Sequence, residues 1–338
     1  MKVLYYVGYP LAWAEGGHAI QIRETIRAVE TCGVETGWLH PEDTHPPSGD
    51  VLHYFSRPPS DAHWQLARQR GLRLVISEIH QGAVLRPRWQ WPLRGQFGHL
   101  LPLLMGRGFH ATTGVNIYTA ADAALALTEA EADYMRVVMR APADRVHVVT
   151  NGVEPVFFDG SVPPELFSGL LYAAYICERK NSIAVAQLAK RAGVPVKFVG
   201  PPLETDSAYA RAFAKEVDDP FVCWVPEPQT RLRMAAHYRG ACGSFLASQN
   251  EGLPLALLES LAAGTPVMAP DLPNLRQHFG DAIRYLPPPD QPAAVGALQD
   301  FYAACQQGLK QSLQVPTWDD VGRHVANIYR QILNDPKA

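Results

Sequence analysis

CGSFLASQNEGLPLALLESLAAGTPVMAPD, residues 242–271, reads as strand, loop, helix and strand in immediate succession. CGSFLAS and PVMAPD are short apolar runs of the kind a buried strand needs. Between them Glu251 and Gly252 end a loop, and Pro254 is expected at the first helical position, where a missing N–H costs nothing. The helix then carries Leu255, Ala256, Leu257, Leu258, Leu261, Ala262 and Ala263, with Glu259 as its only charge. A helix this apolar on every side belongs inside a protein. Two strands joined by such a crossover make a right-handed parallel unit.

The same alternation runs outward in both directions. Upstream, LLYAAYI, VPVKFVG and PFVCWVP are strand candidates with helices between them, and AIRYLP follows downstream. Nearer the start, Lys2–Val7, VETGWLH, VLHYFS, LRLVISEIH, ADAALALT and RVHVVTNGV form a second series. Helices are expected after Gly16–Gly17, with Ile22, Ile26 and Val29 on one face, at residues 61–70 and 129–139, and at 317–333. The class is α/β with mostly parallel sheets. A chain of 338 residues exceeds the roughly 250–300 at which single cores stop growing, so two domains are expected. SVPPELFSG, residues 161–169, lacks periodicity and is read as the linker. The resulting domains are 1–160, 161–316 and a last helix, 317–338. Chains of this kind bind ligands at the carboxyl ends of their strands, between the domains.

Composition narrows the field. With 47% hydrophobic and 19% charged residues the chain is not disordered, and a net charge of -3 offers no nucleic-acid footprint. No apolar run spans a membrane, and MKVLYYVGYP reads as a strand rather than a signal peptide. Five scattered cysteines without CxxC fit reduced thiols in a cytoplasmic protein. No GxGxxG follows the first strand and no GxxxxGK[ST] exists, which argues against a nicotinamide dehydrogenase and a P-loop enzyme. Asp218–Asp219 and Asp319–Asp320 are adjacent carboxylates rather than a spaced metal pair, and the 12 histidines lack ligand spacing.

Two features of the opening stretch carry chemistry. The amides of Leu255 and Ala256 are orphan donors at the positive end of a helix, suited to phosphate or sugar oxygens. Glu259, if buried, needs hydrogen-bond donors, for which ligand hydroxyls are the candidates; the alternative is a helix-surface glutamate.

Glu251 and Glu259, with seven residues between them in EGLPLALLESLAAGTPV, resemble the signature of family 4 retaining glycosyltransferases. AEGGHAIQIRETIRAVETCGVE resembles that family's glycine loop and first helix, and ADAALALTEAEADYM with RVHVVTNGVEPVFF the end of its first domain. FLASQNEG is similar to the strand entering its donor site, and PTWDDVGRHVANIYRQIL to its last helix. The resemblance implies the GT-B fold: two Rossmann-like α/β/α domains facing across a cleft, with the C-terminal helix crossing back to the first. It implies transfer of a hexosyl group from a nucleotide diphosphate sugar, UDP favoured over GDP, to a hydroxyl acceptor that is a saccharide, lipid-linked or small molecule. No cofactor and no metal are implied.

Residue by residue, the resemblance assigns Glu259 to the ribose hydroxyls and Glu251 to the donor sugar. Gly252, Leu253 and Leu255 would face the sugar and phosphates through their amides, and Gly16 and Gly17 would let the backbone approach the phosphate or the acceptor. His80 would sit by the donor sugar, with a satisfied loop histidine as the bland alternative. Lys180 occupies the family's leaving-group lysine position, but Tyr175 stands where an arginine is usual. Arg179 is the candidate replacement, and two cations at a helix start favour a bound anion over a solvated surface. Asn151–Gly152 reads as a structural turn and Thr128 as a helix cap. Two other readings stay open: a nucleotide-sugar epimerase of the same fold and, on account of Tyr175, a non-catalytic sugar-nucleotide-binding or partner subunit. Finally, Arg86, Arg88, Trp89, Trp91 and Arg94 precede a stripe of Leu93, Phe97, Leu100, Leu101 and Leu104. The stripe is expected to face the core; the alternative is a peripheral contact at the inner membrane face.

Overall fold

The computed structural model describes residues 1–13, 16–40, 45, 47–96, 116–217 and 220–335. The chain divides into two units, Met1–Gly152 with Pro316–Ala338, and Val153–Val315.

In the first unit β1 (Lys2–Tyr6), α1 (Gly17–Thr31), β2 (Glu35–Trp38), β3 (Val51–Tyr54), α2 (Asp61–Gln69) and β4 (Arg73–Ile76) alternate. They continue through α3 (Gln81–Val84), α4 (Ile117–Ala120), β5 (Ala123–Ala126), α5 (Glu129–Val137) and β6 (Val146–Val148). The sheet order is β2-β1-β3-β4-β5-β6 and every pair is parallel. Parallel strands are covered on both faces, which is why β3 and β5 are buried throughout. Gly33, at φ +76, stops α1 in the left-handed conformation that glycine adopts without strain. The buried stripe of α1 is Ile22, Thr25, Ala28 and Val29, with Ile26 only half-buried, a small rotation from the expected face.

The second unit opens with α6 (Pro155–Phe158), followed by β7 (Phe167–Ala173), α7 (Ser182–Ala192), β8 (Val196–Val199), α8 (Ala208–Ala214) and β9 (Val222–Val225). It goes on through α9 (Arg231–Gly240), β10 (Ala241–Phe245), α10 (Leu255–Ala262), β11 (Val267–Pro270), α11 (Pro273–Phe279), β12 (Arg284–Leu286) and α12 (Ala293–Gln306). Its order is β12-β11-β10-β7-β8-β9, again all parallel. The winding runs one way from β7 and the other way from β10, so the carboxyl ends of these two neighbours form the topological switch point.

The boundary between units differs from the expected break at residues 160 and 161. It falls after Gly152 because α6 packs on α9 and α10, drawing residues 153–160 into the second unit. SVPPELFSG is no free linker, since Phe167 already begins β7. Pro316 returns the chain to the first unit, where α13 (Trp318–Asn334) lies along α1. That contact is close: a Cβ on Gly322 would stand 2.4 Å from the Ala28 carbonyl oxygen. Tyr329 of α13 also hydrogen-bonds His53 Nδ1 at 2.6 Å in the middle of β3, while His53 Nε2 meets Ser77 Oγ at 2.7 Å. Burial pushes the His53 pKa down to about 3, so this link is between neutral groups.

Of the basic and aromatic stretch, Trp91 is buried edge-on against Tyr134, whereas Trp89 is 70% exposed and Leu93 is exposed. Leu93 therefore departs from the expected core-facing stripe. Phe97, Leu100, Leu101 and Leu104 lie outside the described residues, as do Asp218 and Asp219.

Candidate functional site

The switch point of the second sheet is built from two loops. After β7 the chain runs through Tyr175, which is half-buried, into a short 3-10 turn, Glu178–Lys180. Asn181 then takes a left-handed conformation, φ 55, unusual for a residue other than glycine. Its side chain shows what holds it there: Nδ2 donates to the Ala247 carbonyl at 2.7 Å, and Oδ1 accepts from Gln249 Nε2 at 3.2 Å. Gln249 N–H donates in turn to the Arg179 carbonyl at 2.9 Å. The loop after β7 is thus latched to the loop after β10.

That latch brings Lys180 onto Glu251. Lys180 Nζ donates to Glu251 Oε1, and Arg179 Nη1 lies 3.8 Å from the same oxygen. The Glu251 side chain is only 5% exposed, so its charge is balanced almost wholly by these two cations. Asn274 of α11 fixes the backbone beneath, Nδ2 donating to the carbonyls of Glu251 at 2.8 Å and Gly252 at 3.1 Å. Among the described residues, the buried Asn274 Oδ1 and Ser248 Oγ find no partner.

Gly252, Leu253 and Leu255 are buried here. Pro254 is the N-cap of α10 rather than its first residue, and it makes no side-chain capping bond. The first-turn amides of α10 therefore point out of a helix end that carries partial positive charge. At the other end Gly264, φ +79, supplies the left-handed stop.

Glu259 is buried, as a helix apolar all round requires, but its partners are protein groups. Arg231 at the start of α9 donates Nη2 to Glu259 Oε1, and Tyr238 Oη–H donates to Oε2 at 3.2 Å. Arg231 also holds Glu154 by Nε at 2.7 Å and Nη2 at 2.8 Å, and stacks over Phe157 at 4.7 Å. Protein groups thus satisfy Glu259 without ligand hydroxyls, so its burial by itself does not call for a ligand. Burial raises the Glu259 pKa, and Arg231 opposes the rise. For Arg231, burial works against the charge, but Glu259 and Glu154 outweigh it and hold its pKa above the ordinary value.

The remaining expected residues belong to the first unit. His80 follows β4 and is buried, with Nε2 against Tyr118 Oη at 2.9 Å. Burial pushes its pKa down to about 4. Its backbone N–H, with that of Leu127, donates to the buried carboxyl of Glu131, whose pKa burial raises to about 7. Gly16 is the N-cap of α1 and Gly17 its first residue. Among the described residues a Cβ on Gly16 would meet nothing within 4 Å, so no packing there demands glycine. Thr128 caps α5 through the Glu131 amide, as expected. Gly152 is structural: a Cβ there would stand 2.6 Å from the Trp318 nitrogen.

Sequence reading missed Arg231, Glu154, Tyr238 and Asn274. Glu154 looks like a plain residue before a helix-starting proline, and Arg231 like the first turn of an ordinary surface helix. Nothing local pairs them across 77 positions.

Two Rossmann-like units built on parallel sheets, the second carrying this cluster at its switch point, are the GT-B fold of glycosyltransferases. Sucrose-phosphate synthase from Thermosynechococcus elongatus is similar over 98% of both chains, with a TM-score of 0.72 and 16% identity. Anabaena HepE in complex with UDP and glucose is similar over 98% of both, with a TM-score of 0.60 and 12% identity. Among curated sequences, the D-inositol 3-phosphate glycosyltransferase of Xylanimonas cellulosilytica is 28% identical over a 181-residue alignment that covers 47% of this chain. That match spans less than half of the relative, 43% of its length. No protein-family model matches the chain.

Proposed function

We propose that this protein is a retaining glycosyltransferase of the family 4 type. It would move a hexosyl group from a nucleotide diphosphate sugar, UDP-sugars favoured over GDP-sugars, to a hydroxyl acceptor. The observation that carries this reading is the Lys180–Glu251 pair at the switch point, beside a helix start whose N-cap makes no side-chain capping bond. Lys180 and Arg179 supply two cations, and the first-turn amides of α10 supply donors, for the charge that develops on a departing diphosphate. Arg179, 3.8 Å from the Glu251 carboxylate, is the residue that would stand in for the arginine missing at Tyr175. In the reaction the bond from the anomeric carbon to phosphate oxygen breaks, and the acceptor oxygen bonds to that carbon from the same face. The acceptor proton passes to the leaving phosphate oxygen. Glu251 and, in the first unit, His80 orient sugar hydroxyls; Glu259 takes the ribose, and Gly16–Gly17 allow close backbone approach. No metal enters the scheme. The complex of HepE with UDP and glucose supports the UDP preference, and the name of the Xylanimonas relative supports glycosyl transfer.

A thermal-shift panel of UDP-, GDP-, ADP- and CMP-sugars tests the reading. A rise in Tm with a UDP-sugar is expected, and no rise with any of the four would defeat it. Retention is then read from the anomeric configuration of the product by NMR. Tyr175 favours a second reading, a subunit that binds sugar nucleotide without turnover. Binding with neither transfer nor donor hydrolysis across an acceptor panel would select it.

A further inference from the structure

His80 is one member of a hydrogen-bonded chain within the first unit, and the chemistry of its neighbours sets the direction of that chain. Arg57, in the loop after β3, donates Nε and Nη2 to Glu78, each at 3.1 Å. A carboxylate held by a guanidinium accepts and does not donate. The 2.6 Å contact between Tyr118 and Glu78 Oε2 is therefore a phenol proton donated to the carboxylate. Tyr118 has no second proton, so in its 2.9 Å contact with His80 Nε2 the phenol oxygen accepts. Nε2 carries the proton. Buried as it is, the ring is neutral near pH 7 and holds one proton only. Nδ1 is left as a bare lone pair, with no hydrogen bond to it among the described residues. The ring plane is held by Tyr134, whose centroid is 5.0 Å away, and the backbone by Glu131.

We propose that Arg57, Glu78 and Tyr118 are positioning residues that fix His80 as the Nε2–H tautomer, presenting Nδ1 as a hydrogen-bond acceptor for a hydroxyl of the substrate's sugar. The identity of the ligand rests on the glycosyltransferase reading; the state of the ring does not. An acceptor nitrogen selects a group that can donate, so the site takes a sugar bearing a hydroxyl at this point over one bearing a carboxylate or no oxygen.

The test is 15N NMR of the 338-residue protein labelled at histidine nitrogen, with the His80 signals identified by their loss in His80→Gln. In the wild type Nδ1 is expected at the unprotonated position and Nε2 at the protonated one. In Glu78→Gln the amide can donate to Tyr118, freeing the phenol proton for Nε2, so the Nδ1–H form becomes populated. Tyr118→Phe removes the acceptor altogether and also mixes the tautomers. A wild-type ring protonated on Nδ1, or one ring state in all three proteins, overturns the proposal. For a sugar nucleotide that the wild type turns over, Glu78→Gln should raise the donor KM about tenfold, the scale of one hydrogen bond. An unchanged KM overturns the hydroxyl contact. If no sugar nucleotide binds while the ring behaves as described, the glycosyltransferase reading falls and takes the hydroxyl contact with it, while the tautomer assignment stands.

Discussion

Arg231→Met is the perturbation most directly worked out from the second unit. One guanidinium serves two carboxylates, Glu154 and the buried Glu259, and no other cation contacts either one among the described residues. Removing one partner of a buried ion pair costs about 3–5 kcal/mol because the other charge is left without compensation. The Arg231 side chain is 33% exposed, so solvent screens part of the interaction and the lower figure, about 3 kcal/mol, applies. At roughly 2–4 °C per kcal/mol for a unit of this size, Tm should fall by about 6–12 °C. The pH dependence has a definite sign. The Glu259 pKa is already raised in the folded protein, and loss of Arg231 raises it further. Below the unfolded-state value the carboxyl is neutral folded and unfolded, so the variant suffers little there. As pH rises toward the folded value the unfolded state gives up its proton first, and stability is lost across that window. Thermal unfolding of wild type and variant from pH 4.5 to 8 would show a gap widening with pH. Arg231→Met/Glu259→Gln should recover much of the loss. A gap that is absent, constant, or widest in acid would refute the account of Glu259 as a buried charge held by Arg231.

Three further outcomes follow from the same geometry. If the proposed donor site holds, Lys180→Met should weaken UDP binding by about 10–100-fold, the range of a charge-assisted hydrogen bond, with Lys180→Arg retaining part of it; equal affinities by calorimetry would remove Lys180 from the proposed diphosphate contact. Gly322→Ala places a Cβ against the Ala28 carbonyl oxygen and should destabilise the first unit by about 1–3 kcal/mol, exposing α13 to limited proteolysis. An unaltered cleavage pattern and Tm would contradict that packing. His80, its pKa pushed down to about 4, resists protonation in the folded state, so the stability it confers is complete above the unfolded-state value near 6.5 and is lost as pH falls toward 4. His80→Gln should flatten that part of the urea-unfolding profile, and an identical slope would show that the ring does not titrate as described.

The order of elements was legible along the chain because local spacing encodes it. Apolar runs separated by helical periods produced all the strands of both sheets, and a helix with Glu259 as its only charge had to be buried. Thr128 was equally readable, since a cap depends on a few neighbouring residues. The unit boundary was misplaced because the short helix Pro155–Phe158 carries no periodicity of its own; its membership is decided by packing against α9 and α10.

Two α/β units on more than 300 residues, a helix start after Gly252, and the cations Arg179 and Lys180 were therefore determined by the sequence alone. Tertiary structure decided what those groups touch. Strand order sets β7 beside β10, and only that adjacency brings Lys180 to Glu251 across 71 positions. The same folding gives Glu259 an arginine and His80 a tyrosine as partners, groups far off in the chain and ordinary in their local contexts. A hydrogen bond acts over about 3 Å, a distance the chain's own spacing does not encode until the sheet has set which carboxyl ends are neighbours.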